Sequence, residues 1–140
     1  MYAMKNPAAQ YNVYQQQSAM TASPGELTLM LYDGCVKFLK QSKMFMEEHE
    51  IEKSSNASIR AQKIITELMA TLNPAYEMSD NLYKLYDFIL HNIVQSNLKK
   101  DASMLDTPIQ MMSELRDTWQ QAVRINRQQA VSQRGLAPNE

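Results

Sequence analysis

Apolar residues recur at every third or fourth position through four long stretches of this chain, with polar residues between them. The first stripe reads Leu27, Leu31, Gly34, Phe38, Phe45, and the second Ala61, Ile65, Leu68, Leu72. Leu82, Tyr86, Ile89 and Ile93 make the third; Leu105, Ile109, Met112, Leu115, Trp119 and Val123 make the fourth. A 3.6-residue period of this kind is that of an amphipathic helix, and no stretch alternates as a half-buried strand would. The boundaries carry their own signals. Ser23 and Glu26 are spaced as a capping box, and Pro24 fills the first helical position, where its missing N–H costs nothing. Pro74 closes the second stretch, Ser79 is placed to cap the third, and Asp101 to cap a short turn. Thr107-Pro108-x-Gln110 offers a second capping box. The pattern predicts helices over about 24–48, 53–73, 80–99 and 102–127, the last broken near 106–108. Short loops between such helices make an all-α, up-down-up-down antiparallel four-helix bundle over 23–128. Gly34, in mid-helix, is explained by a neighbouring helix packing close.

One core does not use all of this apolar surface. Leu29, Tyr32, Val36 and Leu39 form a second stripe on the first helix; Ile64 and Met69 stand off the main stripe of the second. Tyr83, Leu90, Val94 and Leu98 do so on the third, and Met111 and Ile125 on the fourth. Part of the surplus widens the core, and the rest needs a cover: a second copy, the chain's own N-terminus, or a partner. Residues 1–22 are a candidate cover, since Tyr2, Met4, Tyr11, Val13, Tyr14 and Met20 are interspersed among Asn, Gln and Ala with only Lys5 charged. Tyr11 and Tyr14 are expected to dock in a groove of the free bundle and to leave when a partner arrives. Residues 129–140 read as a flexible tail.

Length and composition narrow the function. A chain of 140 residues forms one domain with a real core. A net charge of −1 argues against a protein that binds nucleic acid by neutralising phosphates, and Arg124, Arg127 and Arg134 are explained by the end of a helix. The single Cys35 has no internal partner and points to a reducing compartment. With no apolar leader and no run long enough to cross a bilayer, the expected location is the cytoplasm, without membrane insertion. Eleven methionines supply adaptable apolar surface. Positions three before His49 and His91 hold Met46 and Phe88, so the Glu-x-x-His pairs of a diiron bundle are missing. No phosphate loop and no nucleophile–base pair is recognisable, and Asp87 and Asp101 are read as surface and capping residues. The expectation is a protein that is not an enzyme and uses no metal or cofactor.

Six segments in order carry a resemblance. They are Tyr11-x-x-Tyr14-Gln15-Gln16, Thr21 to Gly34, Ala61-Gln62-x-Ile64-Ile65-x-Glu67-Leu68, Leu85-Tyr86-Asp87-Phe88, Asn97-Leu98-Lys99-Lys100-Asp101 and Arg116-Asp117-x-Trp119. Over roughly residues 11–125 the chain resembles the FliS family, the flagellar export chaperones that hold flagellin in the cytoplasm before secretion. The resemblance implies that the partner is the C-terminal segment of flagellin, disordered when free and wrapped around the chaperone when bound. It also leaves room for the export gate and a regulatory protein as partners. Tyr11 and Tyr14 then form the displaceable arm. Ile64, Tyr83, Leu90, Val94, Leu98, Met111 and Leu115 are chosen as cargo grooves, although Leu115 also stands on the core stripe. The free protein is expected as a monomer or weak homodimer. The alternative is a structural or regulatory bundle that self-associates through its second stripe and has no cargo.

Overall fold

Ser23 opens the first helix with the reciprocal pair its spacing requires. Its hydroxyl oxygen accepts the Glu26 N–H at 3.2 Å, and Glu26 Oε1 accepts the Ser23 N–H at 3.2 Å. The computed structural model describes residues 23–133, which fold as α1 (Pro24–Glu47), α2 (Ile51–Ala70), α3 (Ser79–Lys99), a 3-10 turn (Ala102–Leu105) and α4 (Asp106–Gln133). These residues make an all-helical four-helix bundle without a strand. Tyr11 and Tyr14 lie outside the described residues.

The ends of the elements differ from expectation in instructive ways. His49 terminates α1 in the left-handed conformation, with φ 61°, and Glu50 donates back to the Phe45 carbonyl at 2.8 Å. That six-to-one bond satisfies a carbonyl which the helix end would otherwise orphan. α2 ends at Ala70, ahead of Pro74. Ser79 does not cap α3: Met78 holds that position, and the buried Ser79 hydroxyl donates to the Asn73 carbonyl, tying the α2–α3 loop to the helix. Asp101 does cap the 3-10 turn, accepting the Ser103 N–H at 3.1 Å. Thr107 and Pro108 fall inside the first turn of α4 instead of in front of it, because the turn at 102–105 already makes the bend. α4 then continues helical to Gln133, so residues 129–133 belong to it and not to a tail.

α1 is the hub. It packs against α2, α4 and the 3-10 turn, whereas α3 and α4 touch only slightly. This settles the use of its wide apolar arc. Tyr32, Val36 and Leu39 of the second stripe are buried with Cys35 and Phe38, whereas Leu27 of the first stripe is 38% exposed. Leu39, Ile65, Leu68, Ile89, Ile93, Leu105 and Met112 form the sealed centre. Cross-helix pairs give the directions. Glu26 meets Arg127, Asp33 meets Arg116 and Lys43 meets Asp106, so α1 and α4 run oppositely. Gly34 with Ile64, Cys35 with Ala61 and Ser42 with Ser54 give the same relation for α1 and α2. Tyr32 with Tyr86 and Met46 with Ser96 make α3 run with α1.

Small side chains set the closest contacts. A Cβ on Gly34 would lie 3.3 Å from Ile64 Cδ1, which is the packing role expected of a glycine in mid-helix. Ser42, Ser54, Ser58 and Ser96 are fully buried. Each is satisfied: Ser42 Oγ donates to the Ser54 carbonyl at 3.0 Å, Ser54 Oγ to the Ile51 carbonyl at 2.8 Å, and Ser96 Oγ to the Asp101 carbonyl at 2.8 Å, while Ser58 Oγ accepts from Gln62 at 3.1 Å.

Candidate binding surface

α3 carries a row of apolar side chains along the edge of the core, against which Leu90 packs. Tyr83, Leu90, Val94 and Leu98 are spaced by seven and four, which keeps them on one helix face. Tyr83 is 51% exposed and Leu98 73%, while Leu90 and Val94 are half-buried. Leu90 and Val94 line an open groove of about 490 Å³ with Lys84, Asp87, Phe88 and His91. The groove therefore offers apolar floor, both signs of charge and an aromatic edge within three turns of one helix. Phe88, 52% exposed, was not among the expected groove residues, although its place opposite the Leu82–Ile89 stripe could have marked it.

The other expected groove residues sit elsewhere. Ile64, Met111 and Leu115 are half-buried, pack against the central cluster and do not line the α3 groove. Ile64 lies over Gly34 at the junction of α1 and α2. That junction carries a second arrangement. The Lys37 ammonium and the Arg60 guanidinium lie 5.5 and 5.4 Å from the Phe38 ring centre, and the Lys53 ammonium lies 5.8 Å from that of Phe45. Ile51, Ile59, Tyr76 and Met78 are further exposed apolar residues that the periodic stripes did not single out. For Ile59, the signal was its position on the face of α2 opposite Ala61 and Ile65, whereas Ile51 is the first residue of the helix.

The first turn of α1, next to the residues preceding Ser23, is held by α4. Trp119 Nε1 donates to the Gly25 carbonyl at 2.9 Å, and Val123 Cγ2 stands 3.3 Å from where a Cβ on Gly25 would be. Arg127 pairs with Glu26 at 2.6 Å. The Ser23 N–H and hydroxyl, with the Arg127 charge, hold the exposed Glu26 carboxyl below its ordinary range.

Cys35 is sealed and burial pushes its thiol up to about 12, leaving a poor nucleophile. Among the described residues, no three His, Cys, Asp or Glu side chains gather as a metal cluster. No described helix is long and apolar enough to cross a membrane.

Known proteins resemble this chain. The family model described as flagellar protein FliS matches residues 6–126. The flagellar secretion chaperone FliS of Bacillus subtilis is 40% identical over 135 residues, spanning 96% of this chain and 99% of that protein. Its counterpart in Salmonella typhimurium is 30% identical over 86% of this chain and 92% of its own length. A crystal structure of a bacterial flagellar chaperone covers 85% of this chain and 98% of its own, with a TM-score of 0.68 at 21% identity, a likeness of fold.

Proposed function

Because the chain belongs to the FliS family of flagellar secretion chaperones, we propose that it binds the C-terminal segment of flagellin in the cytoplasm. It thereby keeps the subunit from polymerising before export through the flagellar type III apparatus. The observation that carries this reading is the α3 row, in which Tyr83 and Leu98 are solvent-facing and Leu90 and Val94 line an open groove. An amphipathic segment destined for a filament core has an apolar face that self-associates when bare. A groove presenting side chains at helical spacing covers that face by helix-in-groove packing. Ile64, Met111 and Leu115 contribute at the edges of the bundle, as a partner that wraps around it requires. Tyr11 and Tyr14 act as the arm displaced by cargo, with the export gate and a regulatory protein as further partners. Release needs no cofactor, since competition and mass action suffice.

Titration calorimetry of the protein with a peptide spanning the C-terminal segment of its organism's flagellin tests the reading. A one-to-one complex with a large negative heat-capacity change is expected, because folding the segment onto the bundle buries apolar surface. A protein that ignores the peptide and sediments as a stable dimer would instead favour self-association.

A further inference from the structure

From the α1–α2 junction we infer a second docking track for the same cargo, one that selects an acidic-edged helix; this rests on the function proposed above. Phe38 and Phe45 lie about two helical turns apart on α1, and cations rest over both rings: Lys37 and Arg60 over Phe38, Lys53 over Phe45. Lys53 and Arg60 are exposed. Among the described residues neither makes an ion pair, although Lys43, Arg116 and Arg127 each do. A long, exposed cationic side chain laid on an aromatic ring is a weakly held cover, free to swing out.

Lys53 and Arg60 are seven residues apart on α2, about 10.5 Å along its axis. A second helix lying along the junction presents carboxylates at the same interval when Asp or Glu occupy positions i and i+7. Docking then exchanges partners. The carboxylates draw Lys53 and Arg60 outward, and the apolar side chains beside them pack on the half-buried Phe45, while the buried Phe38 keeps the Lys37 ammonium over its ring. The α3 groove lacks this selectivity, because Lys84 there is balanced by Asp87 on the same wall. Charge complementarity at the junction therefore fixes the register of the cargo, while the α3 row supplies apolar area.

The test measures binding of the flagellin C-terminal peptide to the full chain at low and high salt, for the unaltered protein and three double variants. Lys53→Glu with Arg60→Glu is expected to weaken binding about tenfold or more at low salt, with the difference shrinking as salt screens it. Lys53→Gln with Arg60→Gln should lose less, and Lys53→Arg with Arg60→Lys should bind as the unaltered protein does. The neutral pair guards against misfolding, since melting temperatures of all three should stay close together. A peptide whose paired carboxylates are changed to lysine should bind the Glu variant better than the unaltered protein. Equal affinity and equal salt dependence across all variants would overturn the acidic track and leave the chaperone reading standing. Failure of the unaltered protein to bind the peptide would overturn the chaperone reading itself.

Discussion

Tyr32 and Tyr86, each nearly sealed from solvent, reach from α1 and α3 so that their hydroxyl oxygens lie 2.5 Å apart. Burial holds both phenols protonated above their ordinary value of 10.0, and the Cys35 thiol above its ordinary 9.0. A proton that the folded state binds more tightly stabilises it only while the unfolded chain would also keep that proton. Stability from these groups is therefore full below about pH 8 and is lost as the pH climbs through 10 and beyond. Melting followed by circular dichroism should show a steep fall in Tm between about pH 8 and 11, and a shallower one for Tyr32→Phe with Tyr86→Phe. At neutral pH either single Phe variant should cost about 1 kcal/mol, and the double little more than one single, because removing both hydroxyls leaves none unpaired. His49 offers the opposite sign. Its left-handed backbone suits glycine, so His49→Gly should raise stability by about 0.5–1 kcal/mol, read as a Tm a few degrees higher.

At the scale of elements, the α1–α2 contact turns on Gly34. Alanine there gains helix propensity, about 1 kcal/mol, but its Cβ would stand 3.3 Å from Ile64 Cδ1. The two effects nearly cancel in the unaltered background. In an Ile64→Val background the crowding atom is gone, so Gly34→Ala should stabilise by about 0.5–1 kcal/mol, a sign that paired denaturant titrations would reveal. The role of Gly34 was legible in the sequence because a glycine in mid-helix weakens the helix unless a neighbour packs close against it. So were the start of α1 and the number of helices, since capping residues and apolar periodicity are local signals. What lay beyond local reading was the hub. Nothing in Tyr32, Val36 and Leu39 says whether they meet a partner or the protein's own α3 and α4. The buried serines were equally silent: Ser42 is a polar letter whose hydroxyl is satisfied by the Ser54 carbonyl of another helix, brought near only by folding. Ser79 failed as a cap for the same reason: the Asn73 carbonyl claimed it.

For the whole molecule, the exposed ends of the α3 row can be altered without touching the core. Tyr83→Asp with Leu98→Asp changes two exposed positions, so the melting temperature should move little while cargo binding falls sharply. Leu39→Ala, at the sealed centre, should do the reverse, costing roughly 2–5 kcal/mol of stability. Paired melting and binding measurements on these variants separate surface from scaffold. Of the candidate surface, the α3 row was readable from spacing alone. Phe88 and the cations over Phe38 and Phe45 were not, since they depend on which neighbours α2 and α3 acquire.

Trp119 is the chain's single tryptophan, and its indole N–H is bonded to the Gly25 carbonyl in the first turn of α1. Its emission is therefore an intrinsic optical probe of the point from which residues 1–22 depart. Any event that loosens that turn exposes the ring to water and shifts its fluorescence to longer wavelength. Arrival and departure of a partner that disturbs the turn can thus be timed by stopped-flow mixing on the unlabelled protein.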